Sequence, residues 1–149
     1  MIAFIITLVC ISFVQAAFLP LNLVLIILLV RSFITEGKYD LWFVFSFGLL
    51  LSFLSGFPLG GLSFIYLLLQ AVVKVVKKTQ FAQHWIIVLP LISTLIIFDK
   101  MAENFMFGAG FNLRSSILDI ILILPIYFTV RFWEERFIPA KEVKLKIGK

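Results

Sequence analysis

Apolar residues arrive along this chain in blocks of about 15 to 20, the length a helix needs to cross a hydrocarbon core of about 30 Å. Short polar breaks separate them. Met1 to Phe18 is apolar apart from Thr7, Ser12 and Gln15, and Pro20 and Asn22 then mark the start of a second block running to Ile34. Arg31 falls in its last turn, where a cation complements the helix dipole and snorkels to an interface. A third helix is expected over Leu41 to Leu54, after the break Thr35 to Asp40 with Glu36, Gly37 and Lys38, and with Trp42 as an interfacial aromatic. Three glycines and a proline follow within Ser55 to Gly61, a strong turn signal. The fourth helix is expected over Leu62 to Val76, closed by Lys74, Lys77 and Lys78. The fifth is expected over Trp85 to Phe98, with Pro90 inside it, and the sixth over Ile117 to Trp133. Between the last two, Asp99 to Arg114 reads as the longest connector, rich enough in phenylalanine to lie along an interface.

Composition strengthens this pattern. Of 149 residues, 62% are hydrophobic and 14% charged, whereas an ordinary soluble domain is about 45 to 50% apolar and about 25% charged. The mean hydropathy is +1.15. Within these 149 residues little remains outside the blocks to build a soluble catalytic domain. No Lys or Arg precedes the first block, so it is expected to be a retained helix and not a secretory signal.

The net charge of +5 does not point to nucleic acid, because the 13 basic residues gather at the ends of apolar blocks. With the N-terminus inside, eleven of them fall on the cytoplasmic side and only Lys100 and Arg114 outside, as the positive-inside rule requires. The chain therefore reads as all-α: a polytopic transmembrane bundle of six helices with both termini cytoplasmic. Five spans remain if the first block lies in the membrane plane, or if the second and its neighbour are not separate spans. Residues 1–133 form the membrane domain, and 134–149 a basic tail on solvent or anionic headgroups.

Candidate chemistry is sparse. Cys10 and His84 each stand alone, so neither a zinc centre nor a nucleophile–histidine pair is expected, and no cofactor. Cys10 reads as a small buried filler and His84 as an interfacial residue. Intramembrane polar groups are functional candidates by default, which singles out Asn22, Asp99, Glu103 and Asp119. Asp119 is expected near Arg114 at the outer interface. Asp99 and Glu103, four apart, share a face if the fifth helix continues, and otherwise read as a solvated or partner-facing patch.

Gly48, Ser52 and Gly56 recur every four residues, a stripe along which two helices approach closely in lipid. Together with Ser55, Pro58, Gly60 and Gly61 they form the candidate helix-packing or partner-binding segment. The string from Gly48 to Gly60 resembles the signature of MreD, the rod shape-determining membrane protein family of bacteria. That family reads glycine, three apolar residues, aspartate, two apolar residues, then serine-glycine-x-proline-leucine-glycine. Pro20 to Leu23 and the basic end of the fourth block resemble the same layout. The likeness covers about 15 residues in sequence, and Ser52 stands where the family has aspartate.

The resemblance implies a non-enzymatic scaffold of the cell-elongation machinery in the bacterial inner membrane. Such a scaffold binds an MreC-like bitopic partner, and through it supports MreB and the peptidoglycan synthases. The alternative is a vitamin-binding subunit of an energy-coupling-factor transporter, which needs a concave polar pocket near the outer face. In sequence that half offers Asn104, Glu103, Asn112 and Asp119.

Overall fold

Each apolar block becomes one helix in the computed structural model, which describes residues 2–18, 21–34, 40–78, 85–108, 110 and 112–137. The order is α1 (Ile2–Phe18), α2 (Leu23–Ile34), α3 (Asp40–Ser55), α4 (Gly61–Lys77), α5 (Trp85–Phe107) and α6 (Leu113–Phe137), with no strand among the described residues. Over Leu113–Glu134, 22 residues, α6 is long and apolar enough to cross a membrane. Pro20, the break at 35–39, the connector at 79–84 with His84, and the tail at 138–149 lie outside the described residues.

The shortest helix is the centre. Only 12 residues long, α2 buries Val24, Leu25, Ile26, Leu28, Leu29, Val30, Arg31, Ser32 and Phe33 and packs on all five other helices. A helix apolar on every side must be surrounded. The surrounding helices turn one stripe inward and leave large apolar side chains outward: Phe18, Phe53, Phe64, Phe105, Ile121 and Phe132 are all more than half exposed. Cys10 is on this outer surface and exposed, not the buried filler expected, because α1 packs through Phe4, Leu8, Ser12 and Gln15 on its other face.

Helices α3 and α4 form the most extensive pair, for a reason visible at Gly48. A Cβ there would stand 2.6 Å from the Ser63 Cα, so only glycine admits this approach. Ser63 Oγ in turn donates to the Phe45 carbonyl at 3.2 Å. Helix α3 stops at Gly56, whose φ of +70° suits glycine. The Phe57 N–H then reaches back to the Ser52 carbonyl at 3.1 Å, a closure typical of helix C-termini. After the turn, Gly60 at φ +89° precedes α4, and Gly61 packs under the Phe107 ring. The expected stripe is thus divided: Gly48 and Ser52 face α4 and the core, while Gly56 belongs to the turn. Ser55, Pro58 and Leu59 are exposed there.

The largest departure from expectation is α5. It does not end at Phe98 but continues through Asp99, Lys100 and Glu103 to Phe107. Nothing in 99–107 breaks a helix, and termination waits for Gly108 at φ +63°. Its N–H bonds the Asn104 carbonyl at 2.9 Å. Helix α6 likewise begins four residues early, capped by Asn112 Oδ1, which accepts from the Arg114 and Ser115 N–H groups at 3.1 and 3.4 Å. It also carries on past Trp133, taking in Glu134 to Phe137.

A buried carboxylate cluster beside an open cavity

Asn22 occupies the N-cap position of α2, its carbonyl accepting from the Ile26 N–H at 3.0 Å. An N-cap side chain ordinarily turns back onto the helix it starts. Here Gln15 of α1 takes that duty, its Oε1 accepting the Val24 N–H at 3.0 Å. The Asn22 side chain is therefore free to reach other helices. Its Nδ2 donates to Asp99 Oδ2 at 2.5 Å and to Glu103 Oε1 at 3.4 Å, and its backbone N–H donates to Asp119 Oδ1 at 3.1 Å. Three carboxylates from α5 and α6 thus converge on one helix start, where the dipole and unpaired N–H groups favour negative charge.

All four polar residues singled out in sequence are brought together, in an arrangement other than expected. Asp99 and Asp119 are fully buried and Glu103 is half-buried, so Asp99 is not part of a solvated patch. Nor does Asp119 meet Arg114: its partner is Lys100 Nζ at 3.5 Å. That pair with Asp119 is the one ion pair shown for the three carboxylates among the described residues, and Asp99 Oδ1 has no hydrogen-bond partner there.

Beside the cluster lies a cavity of about 450 Å³, lined by residues of α1, α3, α4, α5 and α6 together with Leu21, Asn22, Phe57, Gly110 and Asn112 between helices. Gln15, Asn22, Tyr66, Lys100, Glu103 and Asn112 supply its polar wall, and Leu51, Leu54, Phe57 and Leu62 its apolar one. Sequence reasoning missed Gln15, Tyr66 and Lys100. The signal was helical spacing: Ser12 and Gln15 point the way Leu8 does, and Tyr66 and Gln70 are one turn apart on α4, both buried.

The opposite end of the bundle holds a second set of buried polar groups. Arg31 Nε meets Glu134 Oε1 at 3.0 Å, with both side chains 7% exposed. The guanidinium carbon lies 4.5 Å from the Phe4 ring centroid and 5.4 Å from that of Phe43, within cation–π range. Gln70 Nε2 donates to Ser32 Oγ, and Lys77 Nζ to the Ser32 carbonyl at 2.8 Å. Asp40 is also buried at this end, so the buried charged groups here are Arg31, Glu134 and Asp40, with Lys77 half-buried beside them.

No group of three or more histidine, cysteine or acidic residues able to hold a metal ion occurs among the described residues. Comparison of the chain with protein-family models, with curated proteins and with solved structures found no match.

Proposed function

We propose that this chain is a multi-pass membrane scaffold of the MreD type, which binds an MreC-like bitopic protein and so supports peptidoglycan synthesis during bacterial cell elongation. The observation that carries the reading is the segment 48–61. Each glycine of the resemblance has a physical task there: Gly48 admits the α3–α4 approach, and Gly56 and Gly60 take positive φ in the turn. In support of a lipid surround, the outward faces of α1, α3, α4, α5 and α6 carry large exposed apolar side chains, more than a water-facing monomer ordinarily presents. The helix ends bearing Arg31, Lys74, Lys77 and Arg136 share one end of the bundle, which this reading makes cytoplasmic.

Because Gly48 and Ser52 are spent within the chain, partner contact falls on the exposed turn, Ser55, Pro58 and Leu59, and on the apolar outer faces. Extraction in mild detergent with a co-expressed MreC-like protein tests this. The pair should co-purify, and Leu59→Glu should weaken it. A lone monomer, under conditions that hold such complexes together, would overturn the reading.

The cavity favours a second reading, a solute-binding subunit of a membrane transporter, since a concave polar site at the non-cytoplasmic end is what that task needs. Co-purification with a cytoplasmic ATPase pair instead of an MreC-like protein would select it.

A further inference from the structure

The cavity combines three features that a merely structural polar cluster lacks. The first is an excess of carboxylates: Asp99, Glu103 and Asp119 converge on Asn22, and Lys100 pairs with Asp119, while Arg114 lies exposed on α6. The second is unused hydrogen-bonding capacity. Asp99 Oδ1 is buried without a partner, and Tyr66, 1% exposed, lines the cavity with no described residue bonded to its hydroxyl. Buried polar groups are ordinarily satisfied; Tyr66, Asn22 and Glu103 line the open volume, and Asp99 joins them through Asn22. The third is a mixed lining: Leu51, Leu54, Phe57 and Leu62 line the cavity together with Gln15, Asn22, Tyr66 and Glu103.

We propose that this cavity is a binding site for a small organic cation, an ammonium group on a short apolar body. The ammonium sits at the wall formed by Glu103, Asn22 and Tyr66, with Glu103 and the Tyr66 oxygen as acceptors, and the apolar body lies against Leu51, Leu54, Phe57 and Leu62. An anion is disfavoured by the excess carboxylates, which outnumber the adjacent cation. A bare metal ion is disfavoured because no set of ligands converges for it among the described residues. The site is on the side away from Arg31 and Lys77, next to Asn22, Phe57, Gly110 and Asn112. The inference needs neither the scaffold nor the transporter reading to hold, and its failure leaves both standing.

The test uses the full-length chain in detergent micelles with n-butylammonium, n-butanol and butanoate as probes at constant ionic strength. Binding to the folded state raises the thermal unfolding midpoint in a saturable way. n-Butylammonium should do so, and the neutral and anionic probes should not. Glu103→Gln should weaken the n-butylammonium response about tenfold, the scale of one charge-assisted hydrogen bond, and Tyr66→Phe by less. As a readout independent of variant folding, n-butylammonium should protect Glu103 of the unaltered protein from carbodiimide modification, followed by mass spectrometry. Equal midpoint shifts from n-butylammonium and n-butanol would overturn the proposal, as would undiminished modification of Glu103.

Discussion

The two ends of this bundle bury similar residue types and do different things with them. Where α2 ends, Arg31 pairs with Glu134, Lys77 bonds the Ser32 carbonyl, and the space left among Arg31, Ser32, Asp40 and Gln70 is a cavity of about 10 Å³. Where α2 begins, three carboxylates gather on Asn22, one of them paired with Lys100, beside a cavity of about 450 Å³. Charge balance without space is what a latch requires, since a buried pair holds only while both partners remain. Imbalance with space is what a site requires. The contrast assigns Arg31 and Glu134 to stability, and Asn22, Tyr66 and Glu103 to binding.

The sharpest way to break that assignment is to remove one member at each end. Arg31→Leu leaves Glu134 and Asp40 buried beside no guanidinium, and should cost about 3 to 5 kcal/mol of stability, the usual scale for orphaning a buried ion. Combining it with Glu134→Leu should recover most of the loss, because the uncompensated charge disappears with its partner. Both are measured as unfolding free energies in detergent. If the double variant is as unstable as the single one, packing by the Arg31 stem against Phe4 and Phe43, not charge, holds this end.

Next in size is the close approach of α3 and α4. Gly48→Ala places a methyl group 2.6 Å from a backbone atom of Ser63, and backbone cannot rotate away as a side chain can. The helices must separate, at about 1 to 3 kcal/mol as for other overpacked contacts. Asp99→Asn at the carboxylate end should behave in the opposite sense. It keeps the shape and an acceptor for Asn22 Nδ2 while removing one of three clustered, buried acid groups, so stability should hold or rise by about 1 kcal/mol. A loss of several kcal/mol there would make the cluster a second latch.

How much of this was legible in the sequence depends on whether a feature is local. Helix number, the α3–α4 turn and the basic ends of α2 and α4 follow from block length, glycine content and charge placement, all readable within a few residues. The extension of α5 was not legible. A charged run inside a helix lowers hydropathy equally whether it faces water or a neighbouring helix, so Asp99 to Glu103 looked like a connector. Asp119 was placed near Arg114 by sequence distance, yet Lys100 comes from another helix. Gln15 and Tyr66 each sit singly in an apolar run, and their importance lies in what five other segments place around them. The stripe Gly48–Ser52–Gly56 was legible as close packing but not as to its end, because Gly56 leaves the helical path and spacing carries no φ. Ser52 is buried with its Oγ unpartnered among the described residues, so the hydroxyl at the resemblance's aspartate position makes no bond there.

The smallest effect separates turn chemistry from packing at the carboxylate end. Gly56 and Gly60 both have open space where a Cβ would go and both have positive φ, so alanine at either meets no neighbour and strains only its own backbone. Placing an L-residue in the left-handed region costs about 1 to 2 kcal/mol, partly offset by the smaller entropy of the unfolded chain. Gly60→Ala should therefore lower stability by about 1 kcal/mol, leaving the cavity and its response to n-butylammonium intact. Gly61→Ala should differ, although it has no positive φ, because its methyl group would displace the Phe107 ring that packs on Phe57 at the cavity's apolar wall. If Gly60→Ala changes ligand response as much as Gly61→Ala does, the turn is part of the site itself.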